Sequence, residues 1–231
     1  MSASVRTVAW LVAAAAGVMC VAAESRASTT EPSRAVLTRA VTQYLAEHGD
    51  LCVGKFTWPR VVTAQDRQAP SDDAVQLPVL QHLGLVRSVA IPAVPAPGAQ
   101  PSAPPSPQPG SAGPARRYSL TAAGRRYYLQ KKHTTMGIHG GAVEHDADFC
   151  VGHLSLDKVV KWIPPEQVRG GPLETLVSYT YHIQAADWMA DPEARRVFPV
   201  VDRIIRGQGA LLMTATVQLR EGRWVPVLPS Q

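Results

Sequence analysis

Apolar side chains recur at three- and four-residue spacing early in the chain (Val36, Leu37, Ala40, Val41, Tyr44, Leu45), and the pattern then changes to alternation. The first pattern predicts an amphipathic helix over 34–48, with Ser33 as its N-cap and Gly49 as its stop. The second predicts a strand over 51–57 that puts Cys52, Gly54, Phe56 and Trp58 on one side. Further on, 176–181 reads Leu-Val-Ser-Tyr-Thr-Tyr, rich in β-branched and aromatic residues, inside a predicted strand over 173–183. Strands over 210–219 and 223–228 flank a turn at Glu221-Gly222.

The stretch after the first helix occurs twice. Residues 50–62 and 148–160 agree at six of thirteen positions, beginning Asp-Leu-Cys-Val-Gly and Asp-Phe-Cys-Val-Gly. A glycine two residues beyond each cysteine leaves room for a backbone or a bridge to approach closely. Two shorter pairs follow in the same order. Residues 77–83 match 198–204, both read as helices with a proline near the start or at a kink. Residues 120–127 match 219–224, both read as hairpin turns. The expected fold class is therefore α+β: two related halves built on antiparallel strands with packed helices. The expected division is 1–23 signal peptide, 24–33 flexible leader, 34–132 first half, 133–147 His/Gly linker and 148–231 second half. The Pro-, Ala-, Ser- and Gly-rich stretch 92–115 reads as an extended loop between two strands.

Composition adds an address. One basic residue, Arg6, precedes an uncharged apolar run over 7–23 that closes at Val21-Ala22-Ala23. That arrangement predicts a secretory signal peptide, and the run falls short of the roughly 20 residues a membrane span needs. Cys20 raises lipid anchoring, but Met19 before it is a poor processing residue, so a soluble periplasmic or secreted product is favoured. Outside the signal the cysteines are Cys52 and Cys150. An oxidising compartment favours a disulfide between them, against the alternative of two buried thiols packed as small hydrophobes.

The whole chain carries a net charge of +5, spread along its length. Its one dense basic cluster, Arg125, Arg126, Lys131 and Lys132, is a candidate contact for an anionic partner, with a solvated face as the plainer reading. Export and sparse clustering argue against nucleic acid.

Catalytic motifs are scarce. His133, His139 and His145, with Met136, Glu144 and Asp146, form a candidate metal-binding segment whose spacing matches no compact metal motif. Ser155-Leu-Asp-Lys158 fits the S-x-x-K spelling, yet the first copy has Arg60 at the lysine position, and arginine cannot act as a base. Glu144, Asp146 and Asp148 could pair as carboxylates, though acids in a Gly-rich loop are usually solvated. Trp162, Trp188 and Trp224 are expected in the core. No cofactor is implied.

Two resemblances complete the reading. Gly84-Leu-Val-Arg87, the Pro-rich tip and Tyr118-Ser-Leu-Thr-Ala-Ala-Gly124 resemble the winged-helix domains of bacterial regulators. There a helix is followed by a wing and a Y-x-L-T-x-x-G turn opening the last helix. The resemblance covers 34–130 and implies an alternative fold, a winged-helix-like domain followed by a small α+β domain. The paired Cys-Val-Gly strands are also similar to uncharacterised exported bacterial proteins, which implies no activity. The functional expectation is a non-enzymatic binding or interaction module in the envelope, with a protein or small-molecule partner. The alternative is a periplasmic hydrolase or metal-binding protein using 133–158.

Overall fold

The computed structural model describes residues 30–68, 71–92, 114–136, 141–167 and 170–227. The predicted signal peptide with Cys20, residues 24–29 of the leader, most of the Pro-rich stretch, and His139 lie outside the described residues.

The fold is α+β with antiparallel pairing throughout. The first helix, α1 (Arg34–His48), forms as its periodicity predicts. Ser33 accepts from the Val36 N–H, Gly49 N–H bonds to Leu45 O at 2.7 Å, and Leu37, Ala40, Val41 and Leu45 are buried. There follow β1 (Asp50–Cys52), β2 (Arg60–Val62), α2 (Ala64–Gln68), α3 (Asp72–His82), β3 (Val86–Ile91), β4 (Ala115–Leu120) and α4 (Ala122–Arg125). Next come β5 (Tyr128–Leu129), β6 (His133–Met136), β7 (Ala142–His145), β8 (Asp148–Trp162), β9 (Glu166–Gln167) and β10 (Leu173–Ala185). A 3-10 turn (Asp187–Ala190), α5 (Pro192–Val197), α6 (Pro199–Arg206), β11 (Met213–Arg220) and β12 (Arg223–Val227) complete the described chain.

The larger sheet runs β1-β8-β10-β11-β12, with β5 on β8 and β9 on β10. Two register shifts in the β8–β10 ladder and one between β1 and β8 mark bulges. Bulges bend a strand, and this sheet curls as a half-barrel around α1. A smaller sheet, β2-β4-β3, lies beside α3.

Two cores result. One joins Leu37, Val41 and Leu45 of α1 to Leu154, Val159, Tyr179, Tyr181 and Val217 of the half-barrel. The other joins Leu77 and Leu80 of α3 and Tyr118 of β4 to Phe149, Trp188, Val197 and Phe198. Strand β8 feeds both, through Phe149 and Val151 at its start and Leu154 and Val159 further along.

The two cores do not follow the two sequence halves. Helix α1 packs on β8, β11 and β12, while α5 packs back on α3. The matching stretches also take different forms. The second copy makes a strand of 15 residues, whereas the first stops at Cys52 and becomes a loop. Helix α3 begins at Asp72, capped by Ser71, so Pro78 lies inside it, while Pro199 opens α6.

The third pair diverges as well. Glu221 (φ 50°) and Gly222 (φ 73°) make the predicted hairpin turn between β11 and β12. At 120–127 the hairpin expectation is corrected: Thr121 accepts from the Gly124 N–H and donates to Gly84 O, and so opens helix α4. That turn agrees locally with the winged-helix resemblance. Helix α1 does not, because it belongs to the other core. Within the span 133–147, expected as a linker, β6 and β7 pair as a two-stranded ladder.

Candidate binding cleft at the disulfide

Cys52 and Cys150 face each other as partners in the β1–β8 ladder and are joined by a disulfide. The two copies of the repeat are thus neighbouring antiparallel strands tied at their cysteines. Their glycines serve different ends. Gly54 has φ +71°, which lets the chain turn out of β1, whereas at Gly152 a Cβ would meet Gln184 O of β10 at 2.9 Å.

The aspartates that open the two copies flank the bridge. Asp148 is buried, and its carboxylate accepts from the backbone N–H groups of Gly54 (3.1 Å), Lys55 (2.6 Å) and Phe149 (2.6 Å). These bonds replace the ladder bonds the first copy would make as a strand, and so bend 53–59 into a loop. The Tyr128 hydroxyl ties the same loop by donating to Phe56 O at 2.6 Å. Burial pushes that phenol up, and the nearby Asp148 charge adds to the effect, so it stays a donor.

Asp50 sits between Lys131 (2.7 Å) and His153 Nδ1 (2.8 Å). Burial pushes its carboxyl up, but the hydrogen bonds and charges of these neighbours outweigh that and hold it below the usual range. Lys132 pairs with Glu144 at 2.7 Å and lies 3.8 Å from Asp146. The pairing raises the Lys132 ammonium and lowers the Glu144 carboxyl.

A cleft of about 560 Å³ opens beside these groups, lined by the disulfide, Tyr44, His48, Phe56, Lys131 and Thr135. Tyr44 and His48 pack with ring centroids 5.2 Å apart, and His145 stacks on Phe56 at 3.5 Å while bonding Thr135 Oγ1 at 2.9 Å. A second cleft of about 360 Å³ shares Cys150, Asp50 and Leu129 with the first, and adds Arg126, His153 and Asp187.

The expected site residues divide among these surroundings. Lys131 and Lys132 line the first cleft, each paired with a carboxylate; Arg126 lines the second; Arg125 is exposed on α4, bonded to Leu120 O. The backbone register sets His133 opposite His145, and no group of three or more His, Cys, Asp or Glu placed to hold a metal ion occurs among the described residues. Ser155 and Lys158 lie on β8 opposite His182 and Thr180, and no hydrogen bond joins the two. Asp148 departs from the solvated role expected of it. Trp188 is in the core as expected, while Trp162 and Trp224 are half-buried around α1, where the Arg34 guanidinium lies 5.2 Å from the Trp162 ring.

The sequence places Tyr44 on the apolar face of the first helix and assigns no site role to it, to Asp50 or to His48. A signal for Asp50 was present, since both copies of the repeat begin with aspartate.

Chemically, the cleft offers aromatic faces, hydroxyls and paired charges. With both cysteines oxidised it presents no thiolate. No family model, no curated protein and no solved structure matches this chain.

Proposed function

We propose that the protein is an exported, non-enzymatic binding module that holds a small polar ligand in the disulfide-walled cleft. Export rests on the basic, apolar and small-residue order of 1–23 and on the disulfide, since such bonds persist in oxidising compartments. No helix among the described residues is long and apolar enough to cross a membrane.

The observation that carries the binding reading is the cleft itself. Ring pairs Tyr44–His48 and Phe56–His145 stand beside fixed ion pairs, apolar faces with a few placed polar groups.

The test is a native mass spectrum of the protein recovered from its own cell envelope, repeated under denaturing conditions. Extra mass that disappears on denaturation, and is lost in a Tyr44→Ala variant, supports the reading. Turnover of a substrate that is abolished by substituting Ser155, His145 or Glu144 would sink it in favour of a hydrolase or metal enzyme.

A further inference from the structure

A larger cleft, about 670 Å³, lies away from the disulfide between α2, α3 and the small sheet. Its apolar part is Val62, Ala74, Pro78 and Tyr118; its polar part is Arg67, Arg116, Gln81 and His82. Among the described residues no carboxylate lines it.

Each arginine is oriented by one nitrogen on a neutral acceptor. Arg67 Nη2 donates to Pro114 O at 3.1 Å, and Arg116 Nη1 donates to Ser88 Oγ at 2.7 Å. Neither guanidinium forms an ion pair among the described residues. Asp66, next to Arg67 in sequence, turns its carboxylate to the Thr63 N–H and hydroxyl, both at 2.7 Å. A guanidinium carries five donors in a planar fork, so one anchoring bond fixes its direction and leaves most donors free. Both forks line one cleft, so an anion seated there would meet two positive charges.

The Asp66 carboxylate is near enough to Arg67 to feel its charge but makes no ion pair with it, and the chain around Arg116 is free of acids. Residues 83–132 hold seven basic residues and no acidic one.

We propose that this cleft is an oxyanion site for an organic ligand. A carboxylate or phosphate group is held by Arg67 and Arg116, and the apolar body of the ligand rests on Val62, Pro78 and Tyr118. The site is separate from the disulfide cleft, so either can fail without the other.

The test titrates the full mature chain with phenyl phosphate, benzoate, inorganic phosphate and benzyl alcohol, reading amide and arginine side-chain shifts by NMR. Phenyl phosphate or benzoate should saturate shifts at Gln81 and Arg116, and the tighter of the two assigns the head group. Inorganic phosphate should bind more weakly, and benzyl alcohol should not saturate.

Arg67→Ala and Arg116→Ala should each weaken binding about tenfold, the scale of one lost charge-assisted bond. A paired Arg67→Lys and Arg116→Lys variant, which keeps the charge and loses the fork, should fall between. Arg223→Ala, exposed on β12 and outside every cleft described, should leave the affinity unchanged. Saturation by benzyl alcohol with equal affinity, equal binding by the Arg67 and Arg116 variants, or no shifts with any anion at millimolar concentration overturns the proposal.

Discussion

The carboxylate of Asp148 accepts the backbone N–H of Lys55 at 2.6 Å, across 93 residues of chain. Asp148→Ala removes the shared acceptor of the Gly54, Lys55 and Phe149 N–H groups in a buried place. The expected loss is about 2–4 kcal/mol in urea unfolding. Asp148→Asn keeps one carbonyl acceptor and should lose less; equal losses would show that the acceptor count does not matter.

Lys55 is buried with its ammonium 2.7 Å from Asp73, and Asp73 also receives Arg60. Asp73→Ala strands a buried cation and should cost about 3–5 kcal/mol. Lys55→Met leaves Asp73 with Arg60 and replaces the stem by an apolar one, so it should cost about 1 kcal/mol or less. Denaturation midpoints of the two variants check the order, and a Lys55→Met loss as large as that of Asp73→Ala would contradict it.

Asp50 carries a pH signature. Its folded pKa lies below its ordinary value, so its contribution to stability is present above the unfolded pKa of about 3.9 and is lost as pH falls through the folded pKa. Asp50→Asn should therefore be less stable than the parent at neutral pH and converge with it in acid. Chemical denaturation from neutral pH down to about pH 3, below the unfolded value, reads the difference; a constant gap between the two curves would rule out this linkage.

The disulfide closes a sequence separation of 98 residues. Cys52→Ser with Cys150→Ser should lower stability by about 3–5 kcal/mol through the freed unfolded chain. The check is an unfolding curve of the oxidised parent against this variant, and coincident curves would show that the bridge contributes nothing to stability.

At the paired glycines, Gly152→Ala presses a Cβ on the β10 backbone and should cost about 1–3 kcal/mol. Gly54→Ala meets no such atom, but must hold φ +71° and should cost about 1–2 kcal/mol. Amide exchange separates them: Gly152→Ala should loosen β8 and β10, and Gly54→Ala the loop over 53–59. Loosening of the same segment by both would show that they share one cause.

What the sequence by itself determined lies within a few residues of each element. The periodicity of α1 with Ser33 and Gly49, the Glu221-Gly222 turn and the strand character of β10 are all local, because caps, turns and side-chain periodicity act over one or two turns of chain. The cysteine pair was legible through the oxidising compartment that the N-terminal pattern led one to expect, and both matching stretches begin with an aspartate. Only the tertiary structure decided how far each copy of that repeat stays a strand. Both have the same alternation, but Asp148 captures the backbone of Gly54 and Lys55 from far along the chain, and no local pattern encodes a partner 93 residues away. The exchange of helices between the cores was settled in the same way. Burying the apolar face of α1 against the half-barrel and that of α5 against α3 depends on which surfaces meet, and hydrophobic contact carries no address in sequence.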